Sequence, residues 1–223
     1  MAVYDLEEQE QLDELKTWWK QYGDLVTGIL AAAAVAVAGW QGWNWYQRNQ
    51  SAQASVLYSA LQQAAAQHDG KRVKDLAGQL VEQYSGSAYA GMGAMLSARA
   101  QLESGDAKTA RAQLGWAAEH AHDEGMRDLA RLRLAIVMAD EQAHDDALRT
   151  LEKKPVAAMQ SRFDEVRGDI LAAQGKAAEA RAAYDAALAA ASAANGTETG
   201  GTRGPYREVL RAKVDALAAG SAK

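Results

Sequence analysis

The longest stretch without a charged residue lies near the N-terminus, between Leu25 and Tyr46. As an α-helix its 22 residues would extend about 33 Å, slightly more than the roughly 30 Å of a bilayer's hydrocarbon core. Only the part from Leu25 to Trp40 is strongly apolar, and much of it is alanine. Hydropathy therefore favours a membrane-spanning helix without settling the matter.

Tryptophans stand at both ends of this stretch. Trp19 and Trp40 are 21 residues apart, which is about 31 Å of helix, so aromatic side chains would lie at both interfaces. The alternatives are a helix buried in a soluble bundle and a signal peptide cleaved after residues 36–38, Ala-Val-Ala. The region before the stretch is long and acidic rather than short and basic, which favours an uncleaved signal anchor. We predict that five tryptophans contact the membrane interface: Trp18, Trp19, Trp40, Trp43 and Trp45.

The basic residues near this segment indicate its orientation. Lys16 and Lys20 precede it, whereas Arg48 alone follows it closely. Cytoplasmic flanks carry the excess of Lys and Arg, and acidic residues count for little. We therefore expect a cytoplasmic N-terminus, with residues 47–223 outside the cytoplasm.

Short turn signals recur through the rest of the chain. If Gly70, Gly105, Gln142 and Gly175 are equivalent, the spacings are 35, 37 and 33 residues. This period is typical of tetratricopeptide helix–turn–helix arrays. An alanine-rich bundle without true repeats remains the alternative.

The positions around these turns follow a pattern of small and large residues. In the last unit Gly168 precedes the turn, and Ala180, Tyr184 and Ala187 follow it. Small residues on one helix face let paired helices approach closely. The unit around Gly70 departs from this pattern, with aspartate at position 75 where a small residue is expected, and a terminal repeat that acts as a cap can do so.

Composition supports an all-α protein. The chain has 51 alanines against 15 valines and isoleucines, and alanine favours helix while β-branched residues favour strands. We predict a single N-terminal transmembrane helix followed by a tetratricopeptide-like α-solenoid with a C-terminal capping helix. The predicted layout is an acidic cytoplasmic head (1–24), a transmembrane signal anchor (25–46), the repeat domain (47–194), a flexible Gly-rich loop (195–204), and a capping helix with its tail (205–223).

The same residues argue against catalysis and cofactor binding. The chain has no cysteine, which excludes disulfides and thiolate metal sites. Of the four histidines, His120 and His122 are two residues apart and point to different faces of a helix, and no HExxH metal motif occurs. Five of the net negative charges lie in residues 1–24, so the remainder is neutral and offers no basic surface for nucleic acid. We expect no enzyme activity, cofactor or metal.

Several segments together form a recognisable pattern. They are the head EEQEQLDELKTWWKQYG, the run GWQGWNWYQRNQSAQASVLYSAL, the later SAYAGMGAMLSARAQLESGD, the Gly168–Ala187 repeat and the closing PYREVLRAKVDAL. They cover nearly the whole chain, which resembles the bacterial YfgM family. The resemblance implies an ancillary subunit of the SecYEG translocon, anchored once in the inner membrane with its repeats in the periplasm.

The resemblance also implies partners. These are a membrane-anchored periplasmic chaperone of the PpiD type, emerging secretory proteins and a cytosolic regulator at the acidic head. Tetratricopeptide arrays serve many machines, so a scaffold of another envelope assembly, for cell division or outer-membrane biogenesis, is the alternative.

The repeat register predicts a binding surface. In such arrays the first helix of each pair lines the concave face, and methionine there adapts to irregular partners. The alternative is that the two methionines pack in the core. The predicted inward positions are Met92, Met95, Arg99, Leu129, Ile136, Arg162, Glu165 and Asp169.

Overall fold

The computed structural model describes residues 4–193 and 203–220. These ranges contain helices and connecting turns but no strand, which confirms the predicted all-α class. A single 3₁₀ turn covers Ala157–Met159. The helices are α1 (Tyr4–Ala66), α2 (Gly70–Gln83), α3 (Ala88–Glu103), α4 (Ala107–His120), α5 (Glu124–Asp140), α6 (His144–Thr150), α7 (Gln160–Ala173), α8 (Ala177–Ala193) and α9 (Arg203–Gly220).

The chain divides into two compact units, residues 1–50 and 51–223, and the division falls within α1. In the first unit α1 carries the predicted membrane segment, and it is long and apolar enough to cross a bilayer. Its large apolar side chains are mostly exposed; Leu30 and Val35, for example, are 63% and 73% exposed. A core helix of a soluble bundle would bury such residues. This part of α1 therefore has the surface of a lipid-facing helix.

The second unit is a succession of antiparallel helix pairs. Residues 51–66 of α1 pair with α2, followed by the pairs α3/α4, α5/α6 and α7/α8, and α9 packs against α8. Several helices are preceded by a polar residue that caps the free backbone N–H groups of the first turn. The Asp69 carboxylate accepts a hydrogen bond from the backbone N–H of Arg72, and Asp106 accepts one from Thr109. Local sequence thus sets where the paired helices start.

The turns between paired helices share one backbone feature. Each contains a residue in the left-handed region, with φ of 56° at His68, 84° at Gly105, 66° at Gln142 and 77° at Gly175. The first turn residue is therefore His68, and the expectation that Gly70 occupies this position is wrong, because Gly70 is already the first residue of α2. The corrected spacings are 37, 37 and 33 residues.

With His68 as the turn residue, a different residue of the first repeat becomes equivalent to the buried alanines of the later repeats. Val73, rather than the aspartate at position 75, is equivalent to Ala110 and Ala180, and all three are fully buried. The first unit therefore buries a residue at this position as the others do, although the residue is valine rather than alanine.

The C-terminal helix starts earlier than predicted. Arg203 is its first residue, so Pro205 lies in the first turn, where a missing backbone N–H costs nothing. Its Leu210 is fully buried with Leu171, Tyr184 and Ala187 of the last pair. Residues 194–202, most of the predicted loop, lie outside the described residues, as do residues 1–3 of the head and 221–223 of the tail.

Candidate partner-binding groove

An apolar groove of about 300 Å³ lies between the helices of the second and third repeats. Helices α3 and α5 form its sides, and α4 contributes one residue. Three of the predicted inward residues, Met95, Arg99 and Ile136, are part of its lining. The groove is lined by Met95, Ala98, Arg99, Leu102, Glu103, Leu114, Arg133, Ile136 and Val137.

Two apolar side chains in this lining are exposed. Leu102 is 41% exposed and Ile136 is 39% exposed. Leu102 was not among the predicted positions, although it follows Arg99 by three residues and helical spacing places both on one face. Arg133 was also not predicted, although it precedes Ile136 by three residues and helical spacing places both on one face.

The methionines have mixed roles. Met95 is partly buried and packs against Ala98, Leu114 and Val137, so it belongs to the core as well as to the groove. Met92 and Leu129 are also partly buried, and neither contributes to the groove lining. Met92 and Leu129 therefore lie outside this groove, and their contact with a partner stays a prediction.

The charges around the groove are unequal. The Arg99 guanidinium pairs with the Glu103 carboxylate at 2.8 Å, and both side chains are exposed. Arg133 is also exposed, and its Nη1 lies 4.0 Å from Sδ of Met95. Among the described contacts of Arg133 there is no carboxylate, so the groove carries one positive charge in excess.

The acidic positions predicted on α7 are engaged by α9. Lys213 Nζ donates to Glu165 Oε1 at 2.8 Å and to Asp169 Oδ1 at 2.7 Å. The Tyr206 hydroxyl donates to Glu165 Oε2 at 3.0 Å, and the Arg162 guanidinium lies 5.5 Å from the centroid of the Tyr206 ring. The structure therefore brings three predicted residues of α7 close together: Arg162, Glu165 and Asp169. Their partners are Tyr206 and Lys213 of the chain's own C-terminal helix.

This cluster shifts the pKa values of its members. Burial alone would raise the pKa of Glu165, but the hydrogen bonds and charge of Lys213, together with Arg162 and Tyr206, hold that pKa below its ordinary value. Burial would likewise lower the pKa of Lys213, whereas Asp169 and Glu165 raise it. Glu165 and Lys213 consequently form a charged pair at neutral pH.

The aromatic residues of the first unit form two groups along α1. Near its start the ring centroids of Trp18 and Trp19 are 6.3 Å apart, and Trp18 lies 5.9 Å from Tyr22. After the apolar stretch, Trp43 and Tyr46 are 6.3 Å apart. All five predicted interface tryptophans are at least 47% exposed: Trp18, Trp19, Trp40, Trp43 and Trp45. Their contact with a membrane interface stays a prediction.

Comparison with known proteins identifies the family. The model of the tetratricopeptide repeat-like domain matches residues 16–219. A protein of Haemophilus influenzae is 30% identical over 185 residues, which cover 83% of this chain and 90% of that protein. A protein of Neisseria gonorrhoeae is 28% identical over 97% of this chain and its own full length, and one of Escherichia coli is 25% identical over 84% of this chain and 90% of its own length. All three are named ancillary SecYEG translocon subunit.

No solved structure is significantly similar to this chain. The family match extends over most of α1 and all the described helix pairs, and the relatives are similar over most of both chains. The chain therefore belongs to the YfgM family of tetratricopeptide repeat-like proteins.

Proposed function

We propose that this chain is a non-enzymatic interaction module, anchored once in the inner membrane and ancillary to the SecYEG translocon. One observation carries the proposal: the chain is similar, over its repeats and most of its length, to proteins named ancillary SecYEG translocon subunits. The apolar, exposed segment of α1 supports the single membrane anchor. A repeat array with an open groove supports binding of a partner rather than catalysis.

The repeats then link the translocon to a periplasmic chaperone of the PpiD type and to emerging secretory proteins. In this proposal residues 1–24 lie in the cytoplasm, where an acidic head meets a cytosolic regulator, and the repeats lie in the periplasm. The open part of the partner-binding surface is the groove around Met95, Arg99 and Ile136. Methionine and aliphatic side chains suit partners of varied sequence.

Co-purification tests the proposal. The full-length chain with an affinity tag is extracted from membranes in a mild detergent, and the retained proteins are identified by mass spectrometry. We expect the SecYEG subunits and a PpiD-like chaperone. A single-pass membrane protein of unrelated sequence with the same tag serves as the control for retention by the detergent micelle.

Other retained proteins would overturn the proposal. Recovery of cell-division or outer-membrane-biogenesis components without SecYEG would assign the chain to another envelope assembly. Recovery of SecYEG without a chaperone would keep the translocon association and remove the proposed link. Each result therefore decides one part of the proposal.

A further inference from the structure

Half of the exposed large apolar side chains in the described part of the repeat unit lie in one groove. In the described residues from Ser51 onward they are Val56, Leu102, Ile136 and Val209. Two of the four, Leu102 and Ile136, line the groove between α3 and α5, together with the flexible side chain of Met95. A groove that gathers exposed apolar residues favours burial of an apolar partner segment.

The charged residues around this groove favour one sign of charge on such a segment. Glu103 is paired with Arg99, which leaves Arg133 as the cation without a carboxylate among its described contacts. In the last repeat the carboxylates of Glu165 and Asp169 both pair with Lys213, and Glu165 also pairs with Arg162. A basic partner would therefore have to compete with Lys213 and Arg162 for these carboxylates, whereas an acidic partner has Arg133.

We infer that the groove binds a peptide segment in which an aliphatic side chain is followed, one or two residues later, by a carboxylate. This inference rests on the proposed function in one respect, since it takes the groove as the partner-binding surface. The aliphatic group packs on Leu102 and Ile136, and the carboxylate pairs with the Arg133 guanidinium.

The spacing of the groove residues fits this pattern. Arg133 and Ile136 are three residues apart on α5, so their Cβ atoms are about 5–6 Å apart. Neighbouring residues of an extended peptide are about 3.3 Å apart along the chain, and one or two residues therefore span the distance. The groove volume of about 300 Å³ lies at the lower end of ligand pockets, which suits side chains of a segment rather than a folded surface.

Peptide binding to the full-length chain in lipid nanodiscs tests the inference. Three short fluorescent peptides share a Leu-Leu pair in a Gly/Ser background and differ in the next residue, which is Asp, Asn or Lys. Fluorescence polarisation gives the dissociation constants. We expect the Asp peptide to bind about tenfold more tightly than the Asn peptide, and the preference to shrink as salt is raised.

Variants assign the preference to its residues. Arg133→Gln should remove the preference for Asp, and Arg133→Lys should retain it because the charge remains. Arg149→Gln is the matched control, since this exposed arginine pairs with Asp146 outside the groove. Ile136→Ser should weaken all three peptides about equally, whereas Val56→Ser at an exposed position outside the groove should weaken none.

Equal binding of the Asp and Asn peptides by the unmodified chain would overturn the inference, as would tighter binding of the Lys peptide. A preference that survives Arg133→Gln would overturn the assignment to this groove. These failures differ from failure of the proposed function: a chain that retains SecYEG but shows no Asp preference loses this inference alone, and the reverse result removes the translocon role alone.

Discussion

Gly168 on α7 lies against the ring of Tyr184 on α8, so closely that a Cβ at position 168 would be 2.5 Å from Cε1 of that ring. The ring has no room to withdraw, because Tyr184 is 4% exposed and its hydroxyl donates to Asp169 at 2.7 Å. The close approach of the two helices in the last repeat therefore depends on the absence of a side chain at position 168.

The other repeats have side chains of different sizes at the equivalent positions. Counted from the left-handed turn residue, Gly168 and Tyr184 correspond to Ala135 with Leu151, Ala98 with Leu114, and Leu61 with Ala77. Each of these pairs belongs to one buried cluster. A small residue on one helix thus accompanies a larger one on its partner, and the order is reversed in the first repeat.

Adding a methyl group at position 168 should destabilise the last repeat. We expect Gly168→Ala to lower the free energy of unfolding by about 1–3 kcal/mol, the usual cost of overpacking a well-packed core. Thermal unfolding of the full chain in detergent, followed by circular dichroism, measures the effect.

Gly115→Ala is the matched control for this variant. Gly115 also lies within a helix, but a Cβ there meets nothing within 4 Å. Since alanine favours helix over glycine by roughly 0.5–1 kcal/mol, this variant should be as stable as the unmodified chain or more so. Equal stability of Gly168→Ala and Gly115→Ala would contradict the steric argument.

The reversed pair in the first repeat can be tested by exchange. Leu61→Ala should cost about 2–5 kcal/mol, because Leu61 is fully buried and its loss leaves a cavity. Adding Ala77→Leu restores the volume from the partner helix, so we expect the double variant to recover a large part of this loss. Denaturant unfolding of the four members of the cycle gives the coupling between the positions. If the free-energy changes of the two single variants simply add in the double variant, the two side chains do not fill the same space.

The sequence predicts this architecture well where a local rule operates. Gly105 and Gly175 mark two turns because glycine adopts positive φ without strain. At the first turn the Asp69-Gly70 pair suggests the wrong residue, since His68 takes the left-handed conformation and Asp69 caps α2. Only the backbone distinguishes the two, because a histidine at positive φ is uncommon.

Long-range contacts were beyond sequence reasoning. Lys213 and Glu165 are 48 residues apart and no spacing rule connects them, so their contact appears only in the folded chain. Arg133 and Leu102, in contrast, follow from helical spacing once Ile136 and Arg99 are placed on an open face.

The Lys213 contacts should stabilise the repeat unit in a pH-dependent way. Removing the charge in Lys213→Met should lower the free energy of unfolding at neutral pH by roughly 1–2 kcal/mol, because the buried Glu165 carboxylate loses a charged hydrogen-bond donor. Arg149→Met, at an exposed ion pair, is the control and should change it by less than about 0.5 kcal/mol.

The sign of the pH dependence follows from the pKa shifts. The folded pKa of Glu165 is below its ordinary 4.5, so its stabilisation is complete above that pH and is lost as the pH falls through the folded value. The folded pKa of Lys213 is above its ordinary 10.5, so its share is complete below that pH and is lost as the pH rises through the folded value. The stability difference between the unmodified chain and Lys213→Met should therefore be constant between these limits and shrink in acid. A difference that grows in acid would contradict this.

Variants at Met95 and Arg99 should distinguish the contribution of packing to the free energy of unfolding from that of a surface charge. Because Met95 is partly buried against Leu114 and Val137, Met95→Ala should cost about 1–2 kcal/mol, below the 2–5 kcal/mol of a fully buried methionine. Arg99→Ala should change stability by less than about 0.5 kcal/mol, since its ion pair is exposed. Chemical denaturation measures both. A neutral Met95→Ala would place this methionine on the surface alone.

The proposed orientation predicts where a C-terminal reporter is active. Lys16 and Lys20 precede the apolar segment and Arg48 follows it, and the excess of basic residues marks the cytoplasmic side. A reporter that is active only in the cytosol should therefore be silent when fused after Lys223, and a reporter that is active only in the periplasm should give signal there. Fusions of the same reporters before Met1 are the matched controls and should give the opposite pattern.

Replacing Lys16 and Lys20 by glutamine while adding lysines after Arg48 should shift part of the population to the reverse orientation, because the bias acts through these charges. Strong cytosolic activity of the unmodified chain fused after Lys223 would instead place the repeats, with their groove, in the cytoplasm.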